Sequence, residues 1–281
     1  MTIAATFLGG AKSRLLPPSI PFRFFAAAAG FHVAMWLVLL VGADEVASFR
    51  GGLGSTLAAV HLLALGVLVT TAIGASVQLL PVATRRAIVA VWPIKLVFWL
   101  AVPGMIALIA GMYWAQPTIL IVAAAVTAAG LLLFGGLLAD NLRRAQSIPV
   151  VAAYGWAALA ALVLLVVFGV LLALNERVDL LPDHNAAALA HLILGGFGFM
   201  GLLALGFSHI LVPMFALAAA PPNRPSILAF ALATAAIALG TAGALVMSPA
   251  LLTVAALVGL VAAGLHVRLM HHTLKAGMRK R

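Results

Sequence analysis

The sequence contains no cysteine, and only 8% of its 281 residues are charged. Without cysteine the chain forms no disulfide, no thiolate metal site, no iron–sulfur cluster and no covalent c-type haem linkage. Soluble domains contain about 25% charged and about 45–50% apolar residues, whereas 65% of this chain is hydrophobic. These deficits exclude a secreted disulfide scaffold, a disordered chain and a soluble nucleotide-binding enzyme, and they indicate a polytopic membrane protein.

The chain has long apolar segments and few charged residues. A helix needs about 20 apolar residues to cross the hydrocarbon core of a bilayer, and eight segments meet this requirement. The sequence therefore predicts an all-α membrane protein with a single transmembrane domain over residues 1–281. We expect the first span to act as the insertion signal, without a cleaved leader. The predicted spans are 24–41, 57–80, 87–110, 118–138, 150–172, 186–212, 226–247 and 249–269.

Basic residues are concentrated on one side of the predicted bundle. An even number of spans puts both termini on that side, and the positive-inside rule makes it cytoplasmic, as in a bacterial-type inner membrane. The net charge of +10 is therefore a topology signal and an attraction to anionic lipid headgroups, not a nucleic-acid footprint. The basic residues of this side are Lys12, Arg14, Arg23, Arg85, Arg86, Arg143, Arg144, Arg224, Arg268, Lys275, Arg279, Lys280 and Arg281, and the other side holds Arg50 and Arg177.

The two halves of the chain share a pattern of polar and small residues. Four spans preserve topology, so such halves would be repeats related by an axis along the membrane normal. We expect two four-helix repeats, at about 20–145 and about 149–277; chance alignment of Leu- and Ala-rich helices is the alternative. The matched residues are His61 with His191 and Gly66 with Gly196 at an offset of 130, Gln78 with His209 at 131, and Pro81 with Pro213 at 132.

Histidine is almost the only ionisable residue in the predicted spans. No Asp or Glu is a candidate within the hydrocarbon, which weighs against a proton-coupled carboxylate transporter. Ionisable groups inside a membrane are costly, so each histidine there is a candidate for a functional site. A hydrogen bond to a neighbouring helix is the alternative for any one of them. The five are His32, His61, His191, His209 and His266.

His61 and His191 form the first predicted site. Both lie close to the outer ends of their spans, and equivalent positions in a duplicated unit would face each other. Two opposed imidazoles are the axial ligand set of a low-spin b-type haem. Gly66, Gly195 and Gly196 are expected to make room for the porphyrin, although close helix packing explains these glycines equally well.

His209 belongs to a second predicted group. It follows His191 by 18 residues, which is five helical turns and about 27 Å along the axis, so one haem cannot use both. We expect it to group with His266 and His32 near the inner face. This ligand set suits copper or a second haem.

Two stretches of the chain resemble subunit I of the haem–copper oxidases and its small relatives. They are residues 59–81, with His61, Gly66 and Pro81, and residues 190–215, with His191, His209 and Pro213. The opening Pro-Phe-Arg-Phe-Phe at 21–25 is similar to the start of the NnrS family, haem- and copper-containing membrane proteins linked to nitric oxide metabolism. The resemblance implies haem binding through His61 and His191, for electron transfer or for sensing or detoxification of nitric oxide.

The chain also departs from the oxidase pattern. It has two four-span units where the oxidase has three, and no tyrosine follows any histidine by four residues. We therefore do not expect an oxygen reductase; if the protein is an enzyme, it is a haem-dependent oxidoreductase. A transporter or assembly factor for haem or copper, and a structural subunit of a respiratory complex, remain alternatives. The expected partners are membrane lipid, a redox partner or respiratory complex, and a second copy of the chain.

Overall fold

The structure is a computed structural model that describes residues 15–84, 90–145 and 148–278. In these ranges every regular element is helical and there is no β-strand. Eight of the described helices are long and apolar enough to cross a membrane, which confirms the all-α class and the number of spans. We number them α1 to α8: Ser19–Val41, Ser55–Ala83, Trp92–Tyr113, Pro117–Arg143, Pro149–Asn175, His184–Ala216, Asn223–Leu245 and Pro249–Met278.

Some predicted features lie outside the described residues. They are the start of the third predicted span at residue 87 and the basic residues Lys12, Arg14, Arg85, Arg86, Arg279, Lys280 and Arg281. The other basic residues assigned to the inner side lie near the starts of odd-numbered helices or the ends of even-numbered ones. These positions share one side of the bundle when successive helices cross in opposite directions.

Several helix boundaries have a local cause, which is a proline, a carboxylate side chain or a residue in the left-handed backbone conformation. Helices α4 and α5 begin with proline, whose missing N–H is not needed in the first turn. Helix α6 begins at His184 because the Asp183 side chain accepts a hydrogen bond from the Ala186 backbone N–H at 3.0 Å. It continues to Ala216 and is followed by Leu217, whose φ of 53° ends the helix. The helix is therefore longer than the predicted span 186–212.

Two helices contain a π-helical segment that was not predicted from the sequence. In α2 this segment is Leu62–Val69, and in α6 it is Leu194–Gly201. Leu194 follows Leu62 by 132 residues, which is also the offset between Pro81 and Pro213. π-helices are rare, and those that occur are often found at functional sites. The residues beside both segments are therefore candidates for a functional site.

The helices pack as sequential pairs. Helix α1 packs along α2, α3 on α4, α5 on α6 and α7 on α8, while the two halves meet between α4 and α5 and between the two π segments. Tyr154 and Phe199 are among the largest fully buried side chains. The outward helix faces carry large apolar side chains such as Leu40, which is 75% exposed, and Phe215, which is 73% exposed. An apolar exterior of this kind fits contact with lipid.

Candidate functional site

His61 and His191 lie together where α2 contacts α6. Their ring centroids are 6.4 Å apart and their ring planes differ by 22°. His61 is the residue directly before the π segment of α2, and His191 lies three residues before that of α6. The structure thus brings together the two histidines that the sequence pairs, and their ligation of haem stays a prediction.

Each of these imidazoles has one ring nitrogen hydrogen-bonded to a backbone carbonyl. His61 Nδ1 lies 3.0 Å from the oxygen of Leu57 in its own helix, and His191 Nδ1 lies 3.1 Å from the oxygen of Leu165 in α5. Because a carbonyl oxygen only accepts hydrogen bonds, Nδ1 carries the hydrogen, and the lone pair of the neutral ring is on Nε2. Histidines that bind metals are held in the same way, with the second ring nitrogen donating to a carbonyl or carboxylate.

The three glycines predicted beside this pair have different surroundings. A Cβ on Gly66 would lie 2.6 Å from Cγ of Phe31, and a Cβ on Gly195 would lie 3.2 Å from Cδ1 of Leu165. Side chains of α1 and α5 fill these places, so both glycines permit close helix packing and do not themselves make space for a porphyrin. A Cβ on Gly196 would meet nothing within 4 Å, because this glycine is exposed on the surface of α6.

Gly169 in α5 is a residue of this site that sequence reasoning missed. A Cβ at this position would lie 3.0 Å from Cε1 of His191. A larger residue would therefore displace the imidazole from its place opposite His61. The only sequence signal is an isolated glycine within an apolar helix, which often marks a close approach.

His209 and His266 form a second pair, between α6 and α8. Their ring centroids are 5.2 Å apart and the ring planes are tilted by 54°. Their exposed fractions are 6% and 8%. His266 Nε2 lies 3.0 Å from the hydroxyl of Ser208, and His209 Nδ1 lies 3.0 Å from the carbonyl oxygen of Leu205. The predicted association of these two histidines is therefore present in the fold.

Tyr154 of α5 belongs to the same cluster and was not singled out from the sequence. Its ring centroid is 5.5 Å from that of His209 and 5.1 Å from that of Phe230. The side chain is fully buried, and its hydroxyl has no hydrogen-bond partner in the part of the chain that the structure describes. Within the same part, His209 Nε2 and His266 Nδ1 are also buried without a partner.

His32 is not part of this second cluster, contrary to the expectation from the sequence. It lies on α1, which packs on α2 and α3. Its Nε2 accepts a hydrogen bond from Trp36 Nε1 at 3.1 Å, one turn further along the exposed face of the same helix. A local partner on the lipid-facing surface therefore satisfies this imidazole.

Neither histidine pair is extended by a third ligand of the usual kind. Among the described residues, no three His, Cys, Asp or Glu side chains come close enough to hold a metal ion. A metal at either pair would need donors of another type. Porphyrin nitrogens would supply them at the first pair. At the second, the ring of Tyr154 lies beside His209, and its hydroxyl has no partner among the described residues.

The comparisons with known proteins add no information about either histidine cluster. No protein-family model, no curated protein and no solved structure matches this chain. The resemblance to haem–copper oxidase subunit I and to the NnrS family stays a prediction that rests on residues 21–25, 59–81 and 190–215.

Proposed function

We propose that this is an integral membrane haem protein in which His61 and His191 hold one b-type haem. The observation that carries the proposal is the 6.4 Å separation of the two imidazole centroids. With metal–nitrogen bonds of about 2 Å, two imidazoles on opposite sides of one metal ion have centroids about 6.3 Å apart. The two separations agree, and the Nδ1 hydrogen bonds leave both Nε2 lone pairs available to a metal ion.

Electron transfer is the function that this ligand set favours. A haem held by His61 and His191 would supply one-electron chemistry. The carbonyls of Leu57 and Leu165 hold the two rings in orientation, and hydrogen bonds of this kind tune the basicity of a ligand and the potential of its metal.

We further propose that the two halves are repeats related by an axis along the membrane normal. The 132-residue offset of the two π segments supports this, as do the histidines placed just before each segment. In this arrangement the paired histidines lie at equal depth near the outer face of a bacterial-type inner membrane. The basic residues near the opposite ends of the helices support that orientation.

Visible spectroscopy of the protein purified in detergent tests haem binding. We expect a Soret band and the pyridine haemochrome of a b-type haem. His61→Ala and His191→Ala should each lose most of this absorbance because an axial ligand is missing. His271→Ala, at an exposed position near the end of α8, is the matched control and should keep the wild-type spectrum. Absence of haem, or unchanged spectra in both site variants, would contradict the proposal.

A methionine substitution separates ligation from packing. Methionine is itself an axial haem ligand, and replacing histidine by methionine raises the reduction potential. We therefore expect His191→Met to retain haem with a higher midpoint potential in a redox titration. A purely structural role for His191 predicts the same potential as in the wild type.

A further inference from the structure

We propose that His209, His266 and Tyr154 form a binding site for one d10 metal ion, Zn²⁺ or Cu⁺, buried between α5, α6 and α8. The site is separate from the pair His61 and His191, since His209 follows His191 by 18 residues along α6. It does not require haem at the first pair.

Hydrogen bonding determines where the lone pairs of the two imidazoles lie. The Ser208 hydroxyl is 2.7 Å from the carbonyl oxygen of Leu205, and its only hydrogen must lie between these two oxygens. Ser208 Oγ therefore accepts a hydrogen bond from His266 Nε2, which leaves the lone pair of the neutral ring on Nδ1. His209 Nδ1 donates to the Leu205 carbonyl, so the lone pair of His209 is on Nε2.

The two nitrogens that carry these lone pairs are unpaired. His209 Nε2, His266 Nδ1 and the Tyr154 hydroxyl are all buried without a partner among the described residues. Buried polar atoms are nearly always paired, and these three belong to neighbouring rings, with the centroid of His209 5.5 Å from that of Tyr154 and 5.2 Å from that of His266. Two lone pairs cannot bond to each other, so a cation or a hydrogen-bond donor bound here would satisfy both imidazoles.

The ring geometry favours a metal ion with tetrahedral coordination. Two imidazoles bound at a tetrahedral angle, with metal–nitrogen bonds of about 2 Å, have centroids about 5.2 Å apart. The centroids of His209 and His266 are 5.2 Å apart, which is shorter than the separation expected for ligands on opposite sides of one ion. Zn²⁺ and Cu⁺ have filled d shells and accept imidazole in such bent geometries.

Tyr154 is the residue of this site that can compensate the charge of a bound metal ion. Helices α5, α6 and α8 contain no Asp or Glu, so a cation there would be uncompensated, which is costly inside a membrane. Transfer of the hydroxyl proton to a water molecule released from the entering metal ion would give Tyr154 one negative charge. That charge would neutralise Cu⁺ fully and Zn²⁺ in part.

The first half of the chain, as the proposed repeat of the second, packs without these two histidines. At the matching offsets, Gln78 stands in place of His209, and Phe134 stands 132 residues before His266. The equivalent helices of the first half pack with those residues. The cluster is therefore an addition to the second half, and Gln is a substitution that the fold accommodates at the position of His209.

Metal binding by the full-length protein tests the proposal. The chain purified in detergent is stripped with a chelator and titrated with Zn²⁺ alone or with Cu⁺ alone under reducing conditions, and bound metal is measured by mass spectrometry. We expect one ion per chain in the wild type and at least about tenfold weaker binding in His209→Gln and in His266→Ala. The tighter of the two titrations identifies the ion. His32→Ala should bind as the wild type does, because His32 lies outside both histidine clusters.

Two further variants examine the supporting contacts. Ser208→Ala keeps both ligands but removes the oxygen that orients His266, and loss of such a contact weakens metal affinity about 10–100-fold. Tyr154→Phe should also weaken metal binding. Its loss of metal affinity should be larger than any loss in His32→Ala. Wild-type protein that binds neither ion stoichiometrically, or His209→Gln that binds as the wild type does, overturns the proposal and assigns the cluster to an ordered water.

Discussion

The histidines within the bundle differ in what their ring nitrogens contact. His61 and His191 donate to backbone carbonyls, His266 donates to a serine hydroxyl, and His32 accepts from Trp36 on an exposed helix face. The cost of burying an imidazole marked these histidines as candidates, and their offsets and positions along the spans predicted which of them pair. The orientation of His32 was not predictable in that way, because a partner one turn along the same helix satisfies it without any tertiary contact.

Gly66 illustrates how a single residue is constrained by a neighbouring helix. Gly66→Ala should destabilise the protein by about 1–3 kcal/mol, as overpacking in a core does, because the new Cβ would lie 2.6 Å from Cγ of the buried Phe31. The matched control is Gly136→Ala in α4, where a Cβ meets nothing within 4 Å. Because alanine has a higher helix propensity than glycine, Gly136→Ala should leave the free energy of unfolding unchanged or raise it by up to about 1 kcal/mol.

Unfolding of the two variants in the same detergent, followed by circular dichroism, measures this difference. Equal stabilities of Gly66→Ala and Gly136→Ala would show that Phe31 can move away without cost.

The two π segments are the elements that depart most from a regular helix. Leu62–Val69 contains one glycine and otherwise ordinary helix-forming residues, whereas Leu194–Gly201 contains four glycines. No common local composition therefore marks both segments. The Thr70 hydroxyl donates to the Leu65 carbonyl at 2.9 Å, five residues back, which satisfies one acceptor at the end of the first segment. Each segment follows a paired histidine, which links this element to the proposed haem site.

Deletion of Gly196 tests what the π segment of α6 does. A π turn holds more residues than an α turn, so removing one exposed glycine should return the segment to an α-helix. The deleted residue is then the extra one that the π turn accommodates, so His191 should keep its orientation relative to the rest of α6. We expect His191 to stay beside His61 and His209 to stay beside His266.

The absence of native cysteine makes the orientation of His191 measurable. A short thiol-reactive crosslinker should join His61→Cys to His191→Cys both in the full-length chain and in the deletion variant. The pair His209→Cys and His266→Cys is the control, and it should also crosslink in both backgrounds. Loss of crosslinking of the first pair alone after the deletion would mean that the π segment does not absorb the deleted residue.

At the scale of the whole molecule, eight apolar helices place the two histidine clusters at different depths. The first cluster lies near the starts of α2 and α6, and the second lies in the later parts of α6 and α8. Both clusters join helices that are distant in the chain, so each also ties parts of the bundle together. The charged residues lie mainly at the helix ends, where they can contact water and lipid headgroups.

Labelling of single cysteines tests the orientation of the bundle. We expect Asp179→Cys, in the exposed connection between α5 and α6, to react with a membrane-impermeant maleimide in intact cells. Ala276→Cys, exposed near the end of α8, should react only after the membrane is permeabilised, because the positive-inside rule places it in the cytoplasm. The reverse pattern of labelling would invert the proposed topology.

The sequence by itself determined the membrane class and the number of spans. It also paired His61 with His191 and His209 with His266, but it wrongly added His32 to the second group. Apolar length and the cost of buried charge are properties of the chain that need no partner helix to be recognised. Only the tertiary structure decided that Tyr154 joins His209, that Gly169 lies against His191, that Gly66 packs on Phe31, and that two helices take π geometry. Each of these depends on which face of one apolar helix meets another, and helices that are apolar all round carry no periodic signal that would specify that face.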